Sequence, residues 1–160
     1  MREIGWGASD GTELFRQGHP WYTAFKMVAE SKNLISRFNW QESEDFCKND
    51  RLIFDCKRVL DGFDPFLETL GYRREGNYCR VERKNDKTIV IFSHGGSGTV
   101  AIARFLGMPF PYLCSILQLE FTSISKFRIV FEEGELVSPF ITILNDHKHI
   151  EDIPAELVYH

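Results

Sequence analysis

The chain has 160 residues, of which 19 are Lys or Arg and 23 are Asp or Glu, so its formal net charge is −4 with neutral histidines. This length predicts a single domain, which we place over residues 1–160. Hydrophobic residues make up 43% of the chain, a fraction that is typical of globular proteins and excludes a disordered chain. The acidic balance argues against a general nucleic-acid-binding protein, whose phosphate contacts require clustered basic residues.

The apolar runs are short, and the longest of them, residues 88–92, is far below the ~20 residues that span a bilayer. The first seven residues contain no basic stretch that leads into an apolar one, so they predict no secretory signal. The four cysteines include no C-x-x-C pair, which favours reduced thiols over a zinc site. We therefore expect a cytoplasmic protein with no membrane partner, no metal and no cofactor.

The first half of the chain is predicted to be mainly helical. Pro20 suits the first turn of a helix, because proline lacks the N–H that would be unpaired there. Apolar residues over 43–61 fall mainly on one face and predict a second helix. Pro65 opens a further short helix, which Gly71 ends as a C-cap. The arginine pair at 73–74 is expected to lie solvated on the surface.

Strands and helices alternate in the middle of the chain. Residues 78–81 and 88–92 predict two strands, and the second is expected to be buried on both faces because it is apolar throughout. A helix is predicted over 97–106, with Gly107 closing it. Pro111 begins a shorter helical piece.

The last third of the chain predicts two more strands, over 121–131 and 136–144, joined by a hairpin-like turn at 132–134. Together these elements predict an α/β fold with three layers, in which helices flank a mostly parallel sheet. Ligands of such sheets gather at the carboxyl ends of the strands. The turn that follows Phe92 is therefore the first place to look for a site.

That turn, residues 93–99, reads Ser-His-Gly-Gly-Ser-Gly-Thr, and we call it the His94 turn. Its glycines allow the backbone to approach a ligand closely, and the unpaired N–H groups of a helix start bind anions. His94 adds a hydrogen-bond donor, or a full positive charge when it is protonated. The pattern predicts a phosphate cradle at His94, Gly95 and Gly96, and the alternative is a histidine that simply caps a strand.

Four segments, in this order along the chain, are similar to the histidine phosphatase superfamily, the phosphoglycerate mutase-like proteins. Met-Arg-Glu-Ile-Gly-Trp-Gly at 1–7 resembles the Leu-x-Glu-x-x-x-Gly segment that supplies that family's general acid. Ile-Val-Ile-Phe-Ser-His-Gly-Gly at 89–96, with Gly-Met-Pro at 107–109, resembles its second-histidine motif. Residues 122–125 resemble its next strand, and Leu-Asn-Asp with His at 144–149 resembles its Leu-Asn-Asp-x-x-His ending.

The chain departs from the family at the family's defining feature. Family members have an N-terminal strand that ends in Arg-His-Gly, and the histidine of that motif is the phosphorylated nucleophile. This sequence contains no Arg-His dipeptide. We therefore expect residues 1–160 to correspond to the C-terminal two-thirds of such a domain, either as a truncated piece or as a relative that has lost the nucleophile.

The resemblance implies a phosphomonoester hydrolase that acts on a small phosphorylated substrate through a phosphohistidine. It favours a phosphatase over a mutase, and the mutase alternative stays open. In that mechanism His94 would hold phosphoryl oxygens, and Glu3 would protonate the leaving oxygen and then activate water. Without its nucleophile the chain is expected to be inactive. The alternative function is a non-catalytic relative that binds a phosphate ligand or a protein.

Three further possibilities stay open. His19 and Trp21 are candidates for substrate contact, although the sequence favours a helix cap and a core residue. Ser97 could be the nucleophile of a serine hydrolase, but the nucleophile-elbow pattern fails at Thr99, where a glycine is required. Finally, an unpaired edge along residues 88–92 would favour a homo-oligomer.

Overall fold

The structure is a computed structural model that describes residues 1–5, 25, 28–30, 39–43 and 46–153. The α-helices are α1 (Asp50–Thr69), α2 (Gly95–Leu106) and α3 (Phe110–Ile116), and short 3-10 helices span Trp40–Glu42 and Lys148–Ile150. The strands are β1 (Tyr72–Glu75), β2 (Tyr78–Val81), β3 (Ile124–Arg128), β4 (Leu136–Val137) and β5 (Phe140–Asp146). Phe25 and residues 28–30 are also helical, whereas Pro20, which was predicted to begin that helix, lies outside the described residues.

The strands form two small sheets, one of order β1-β2-β4 and one of β3 with β5. In the first sheet Tyr72 lies opposite Val81, and in the second Phe127 lies opposite Ile141. The predicted mixture of helices and strands is confirmed. Every strand pair in the described residues is antiparallel, however, so the mostly parallel sheet that was predicted is not the arrangement of this part of the chain.

The main reason for this difference is the segment 88–92, which was predicted to be a strand buried on both faces. It joins neither of the two sheets, and Val90 and Phe92 are 71% and 85% exposed. An apolar run shows what a segment can bury, but a buried strand also needs a neighbour on each side. The described residues provide no strand on either side of this segment.

The helix prediction between residues 43 and 70 was wrong in two respects, because α1 begins at Asp50 and not at residue 43, and because it runs unbroken through Pro65. Its buried residues are Leu52, Cys56, Val59, Phe63 and Leu67. This stripe has helical spacing on both sides of the proline, so its burial outweighs the one hydrogen bond that Pro65 removes. Gly71 follows the helix with φ +93°, as its predicted capping role requires, and its N–H donates to the Glu68 carbonyl at 2.9 Å.

The strand predicted over 136–144 is divided in two. Ser138 and Pro139 separate β4, which pairs with β2, from β5, which pairs with β3. Proline has no N–H to give to a ladder, and a break at this position is therefore reasonable. The predicted turn at 132–134 is present, with Gly134 at φ +89°, but it does not close a hairpin, because β3 pairs with β5 and β4 pairs with β2.

The core lies where α1 packs against α2 and against the β1-β2-β4 sheet. Phe105 of α2 stacks edge-on against Phe63 of α1 and against Phe127 of β3, with ring centroids 6.0 and 5.6 Å apart. Within the described residues no single helix has the length and apolar composition to cross a membrane. Among these helices, only α2 and α3 taken together have that length and composition, and a bend of 119° separates the two helices.

Candidate functional site

Helix α2 begins directly at the His94 turn. His94 is its N-cap residue, with extended backbone angles of φ −90° and ψ 166°, and the helix starts at Gly95, two residues earlier than predicted. Residues 96–101 are buried, and Ser97 has no exposed surface. At the other end Gly107 adopts φ +66° and closes the helix, as predicted.

The carboxylate of Glu3 lies at the amino end of α2. The N–H of Ser97 donates to Glu3 Oε1 at 3.0 Å, and the N–H of Gly96 donates to Oε2 at 3.3 Å. Helix starts leave such N–H groups unpaired and carry a partial positive charge, so a carboxylate is stabilised there. The structure thus brings together Glu3 and Gly96, two of the candidate site residues, although 93 positions separate them in the sequence.

Residues 1–5 are held in this position by α1 and by the segment before the turn. The N–H of Gly5 donates to Asp55 Oδ2 at 2.7 Å, and Arg58 donates to the Glu3 carbonyl at 3.2 Å. On the opposite side the backbone nitrogen of Met1 donates to the Phe92 carbonyl at 2.6 Å. Glu3 therefore caps α2 from a segment that several contacts fix in place.

Asp55, the residue on α1 that holds Gly5, has a pKa below its ordinary value. Partial desolvation acts to raise this pKa, but three favourable contacts outweigh it. These are the Gly5 N–H, the Arg58 guanidinium at 3.0 Å, and the charge of Arg51. The Asp55 carboxylate is therefore stabilised in its charged form by the segment that it anchors.

Close packing explains the glycine at position 96. A Cβ there would lie 2.6 Å from Glu3 Oε1 and 2.6 Å from Ile4 Cγ1, closer than carbon atoms pack. The sequence predicted that the glycines of the turn admit a ligand. In the structure Gly96 admits the chain's own carboxylate, which binds to the turn as an external anion would.

His94 itself faces the solvent. Its side chain is exposed and makes no hydrogen bond within the described part of the chain. Its carbonyl oxygen is turned into the helix, where it accepts the N–H of Gly98 at 2.8 Å. The imidazole is therefore free to contact a ligand at the amino end of α2.

Ser97 has the wrong surroundings for a nucleophile. Its hydroxyl is buried and lies 3.1 Å from the Ser93 hydroxyl and 3.4 Å from the His94 carbonyl, to which it donates. An activated serine needs a base within hydrogen-bond reach, and no histidine ring in the described residues bonds to this hydroxyl. The geometry therefore argues against the serine hydrolase alternative.

The cysteines provide no better nucleophile. None of the four forms a disulfide, and Cys56, Cys79 and Cys114 are buried. Burial raises the pKa of all three thiols, which keeps them protonated and unreactive. Among the described residues, no three His, Cys, Asp or Glu side chains form a group that could hold a metal ion.

Two candidate substrate contacts, His19 and Trp21, lie outside the described residues.

The Leu-Asn-Asp-x-x-His segment is described, and it braces the loop before β3. The Asn145 side chain accepts the N–H of Glu120 and donates to the Gln118 carbonyl, both at 2.8 Å. This loop also contains Leu119, whose side chain lies against Gly98 of the His94 turn.

Sequence reasoning missed a charged cluster at the carboxyl end of α2. Asp64 of α1 accepts from Arg104 at 2.6 Å and from Arg74 at 3.4 Å. The expectation that both residues of the 73–74 pair are solvated is therefore wrong for Arg74, whose side chain is only 11% exposed. No local signal marks this cluster, since its three members come from two helices and a strand.

No protein-family model matches the chain, and neither a curated protein nor a solved structure matches it. The relation to the histidine phosphatases therefore stays a prediction. It depends on the order of the motifs in the sequence and on the hydrogen bonds between the Glu3 carboxylate and the His94 turn.

Proposed function

We propose that this chain is a histidine-phosphatase-like domain whose His94 turn binds the phosphoryl group of a small phosphorylated ligand. The observation that carries this proposal is the Glu3 carboxylate, hydrogen-bonded to the N–H groups of Gly96 and Ser97. A carboxylate at these donors supports the idea that they bind oxyanions. Phosphate offers more oxygens and more charge, and it would compete with Glu3 for the same donors.

His94 and Glu3 have separate roles in this proposal. The exposed imidazole of His94 supplies a second donor to the phosphoryl oxygens and stabilises negative charge on them. Glu3, once displaced from the N–H groups, stays beside the ligand because residues 1–5 are anchored on α1. From there its carboxyl group can transfer a proton to a leaving oxygen.

Hydrolysis needs a nucleophile in addition, which in this family is the histidine of an Arg-His-Gly motif that the sequence lacks. We therefore propose ligand binding without turnover for the chain as given. The family's three-layer, mostly parallel sheet is the fold that this proposal implies, and it would need strand pairs in addition to the antiparallel ones of the described residues.

The second candidate function is a non-catalytic relative that binds a protein instead of a phosphate ligand, and one observation favours it. Glu3 already satisfies two donors of the His94 turn, so the turn is complete without any ligand. If Glu3 is a permanent cap, external anions will not bind, and the turn has only a structural role. The two functions therefore differ in whether Glu3 can be displaced.

Titration with tungstate, a phosphate analogue, separates these two functions. His94→Ala should weaken binding about 10–100-fold, since a hydrogen bond to a charged group is worth about 1.5–3 kcal/mol. Glu3→Gln should strengthen binding, because the amide does not compete as an anion. Ser97→Ala should change little, because the backbone N–H remains. Glu68→Gln, at an exposed glutamate of α1, is the matched control.

Calorimetry would give the affinities of all five proteins. Unchanged binding in both His94→Ala and Glu3→Gln would contradict the proposal and favour a permanent cap. Turnover of an aryl phosphate by the purified chain would show instead that another residue serves as the nucleophile.

A further inference from the structure

The segment 88–92 exposes an apolar surface that is unusual for a folded domain. Four consecutive side chains, Ile89, Val90, Ile91 and Phe92, are 40%, 71%, 46% and 85% exposed. Their β-branched and aromatic composition favours a β-strand, yet the segment belongs to neither sheet of the described residues. Exposed apolar strands of this kind are templates for pairing with another chain.

One edge of the segment is already in contact with the chain. The carbonyl of Phe92 accepts the backbone nitrogen of Met1, so residues 1–5 lie on that side. In an extended strand, neighbouring residues direct their backbone groups to opposite edges. When the segment pairs as an extended strand, Ile89 and Ile91 therefore face the other edge, and their N–H and C=O groups make no hydrogen bond to the described residues.

This second edge is complementary to itself. In an antiparallel pair centred on Val90, Ile89 of one copy lies opposite Ile91 of the other and exchanges both backbone hydrogen bonds with it. The same register places Asp86 opposite His94 at each end of the paired strands. Both residues are exposed, and their charges are opposite when the histidine is protonated. Backbone pairing, side-chain type and charge are all compatible with this register.

We propose that this edge binds a second copy of the chain, with the two 88–92 segments antiparallel about a two-fold axis at Val90. Such an interface is isologous, since each copy contributes the same residues. Four side chains and one strand edge per copy cover less than the ~800 Å² per partner of a standard interface. We therefore expect the dimer to be reversible and to be populated only at high protein concentration.

Sedimentation equilibrium over a range of about 10 µM to 1 mM tests the dimer. Val90→Lys places two like charges opposite each other at the axis, and it should raise the dissociation constant at least about tenfold. Val130→Lys is the matched control, because Val130 is a valine of similar exposure, 53%, outside the segment. Circular dichroism should show the same secondary structure in all three proteins.

A cysteine experiment tests the register. In a Cys47→Ser background, which removes the exposed native thiol, Val90→Cys should form a disulfide-linked dimer under mild oxidation. Directly opposed residues of a non-hydrogen-bonded pair bring their Cβ atoms about 4.5–5.5 Å apart, close enough for a disulfide after a small adjustment. Ile89→Cys, whose partner is residue 91, should not cross-link to itself at a comparable rate.

Three results would overturn the proposal: a monomer at 1 mM, association of Val90→Lys equal to that of the wild type, or faster cross-linking of Ile89→Cys than of Val90→Cys. Association that Val130→Lys abolishes and Val90→Lys does not would place the interface elsewhere. None of these results depends on anion binding.

Discussion

The two ends of α2 are held in different ways. At the amino end a carboxylate from a distant segment, Glu3, accepts two N–H groups, and the neighbouring His94 ring faces the solvent. At the carboxyl end the chain turns at Gly107, and an ion cluster around Asp64 fixes the last turn. The amino end depends on a carboxylate, which in our proposal an external anion displaces, whereas the carboxyl end depends on groups with no external substitute.

The cluster at the carboxyl end is both an ion pair and a cap. Arg104 contacts Asp64 through two nitrogens, at 2.6 and 3.0 Å. Arg74 also reaches Asp64, and it donates to the Arg104 carbonyl at 2.9 Å. A cation at the last carbonyls of a helix complements their partial negative charge. Arg74 therefore stabilises the carboxyl end of α2 as Glu3 stabilises the amino end.

The largest effect is expected from Asp64→Ala, which leaves Arg74 and Arg104 without their carboxylate. Removing one partner of a buried pair costs about 3–5 kcal/mol, and this cluster is partly exposed, so we expect a loss of about 2–3 kcal/mol in the free energy of unfolding. Urea denaturation at pH 7 measures it. Asp61→Ala is the control, because the Lys57–Asp61 pair is 71% and 62% exposed and should change stability by about 0.5 kcal/mol or less. Equal losses in both variants would show that the cluster contributes no more than a surface pair.

Gly107→Ala should have the next largest effect, a loss of about 2 kcal/mol. The residue has φ +66°, and an added Cβ would collide with the Asn77 carbonyl oxygen. A left-handed conformation alone costs a non-glycine residue about 1–2 kcal/mol. Gly134→Ala isolates that cost, because Gly134 has φ +89° and nothing within 4 Å of an added Cβ.

Thermal denaturation compares these two glycine variants directly, and each kcal/mol corresponds to about 2–4 °C in Tm. A Gly107→Ala protein as stable as Gly134→Ala would mean that the chain at Asn77 moves away without cost. The inference that close packing against Asn77 restricts position 107 would then be wrong.

The features of α2 that could be predicted are local. The glycine-rich start, the apolar periodicity and Gly107 lie within one stretch of sequence, and each has a direct physical consequence for the backbone. The same holds for β2 and for Gly71. The approach of Glu3 to the His94 turn is not local, and it could be anticipated only from the resemblance of the two segments to motifs of one family.

The features that could not be predicted depend on which segments become neighbours. The run at 88–92 has the composition of a buried strand, but composition does not supply a partner. Likewise, nothing near Arg74 shows that Asp64 and Arg104 will meet it. Pro65 produced the opposite kind of error. Proline predicts a helix boundary from local sequence, but α1 continues through it because the long apolar stripe of the helix is buried.

The smallest effect is expected at the amino end, through the anchor of residues 1–5. Because contacts with Gly5 and Arg58 lower the pKa of Asp55 in the folded state, its carboxylate contributes stability above the ordinary pKa of about 4, and this contribution is lost as the pH falls through the lowered value. Asp55→Asn keeps an acceptor for the Gly5 N–H but loses the charge, which should cost about 1 kcal/mol at pH 7.

Because asparagine does not titrate, the difference in free energy of unfolding between wild type and Asp55→Asn should shrink as the pH falls below about 4. Urea denaturation at several values between about pH 3 and 7 measures this difference, with Asp61→Asn as an exposed control. A difference that stays constant over this range would show that Asp55 acts through its shape and not through its charge. A difference that shrinks would show that the segment presenting Glu3 to α2 is itself held by an acid-sensitive contact. The amino end would then lose one of its anchors in acid, while Gly107, which has no titratable group, would still close the carboxyl end.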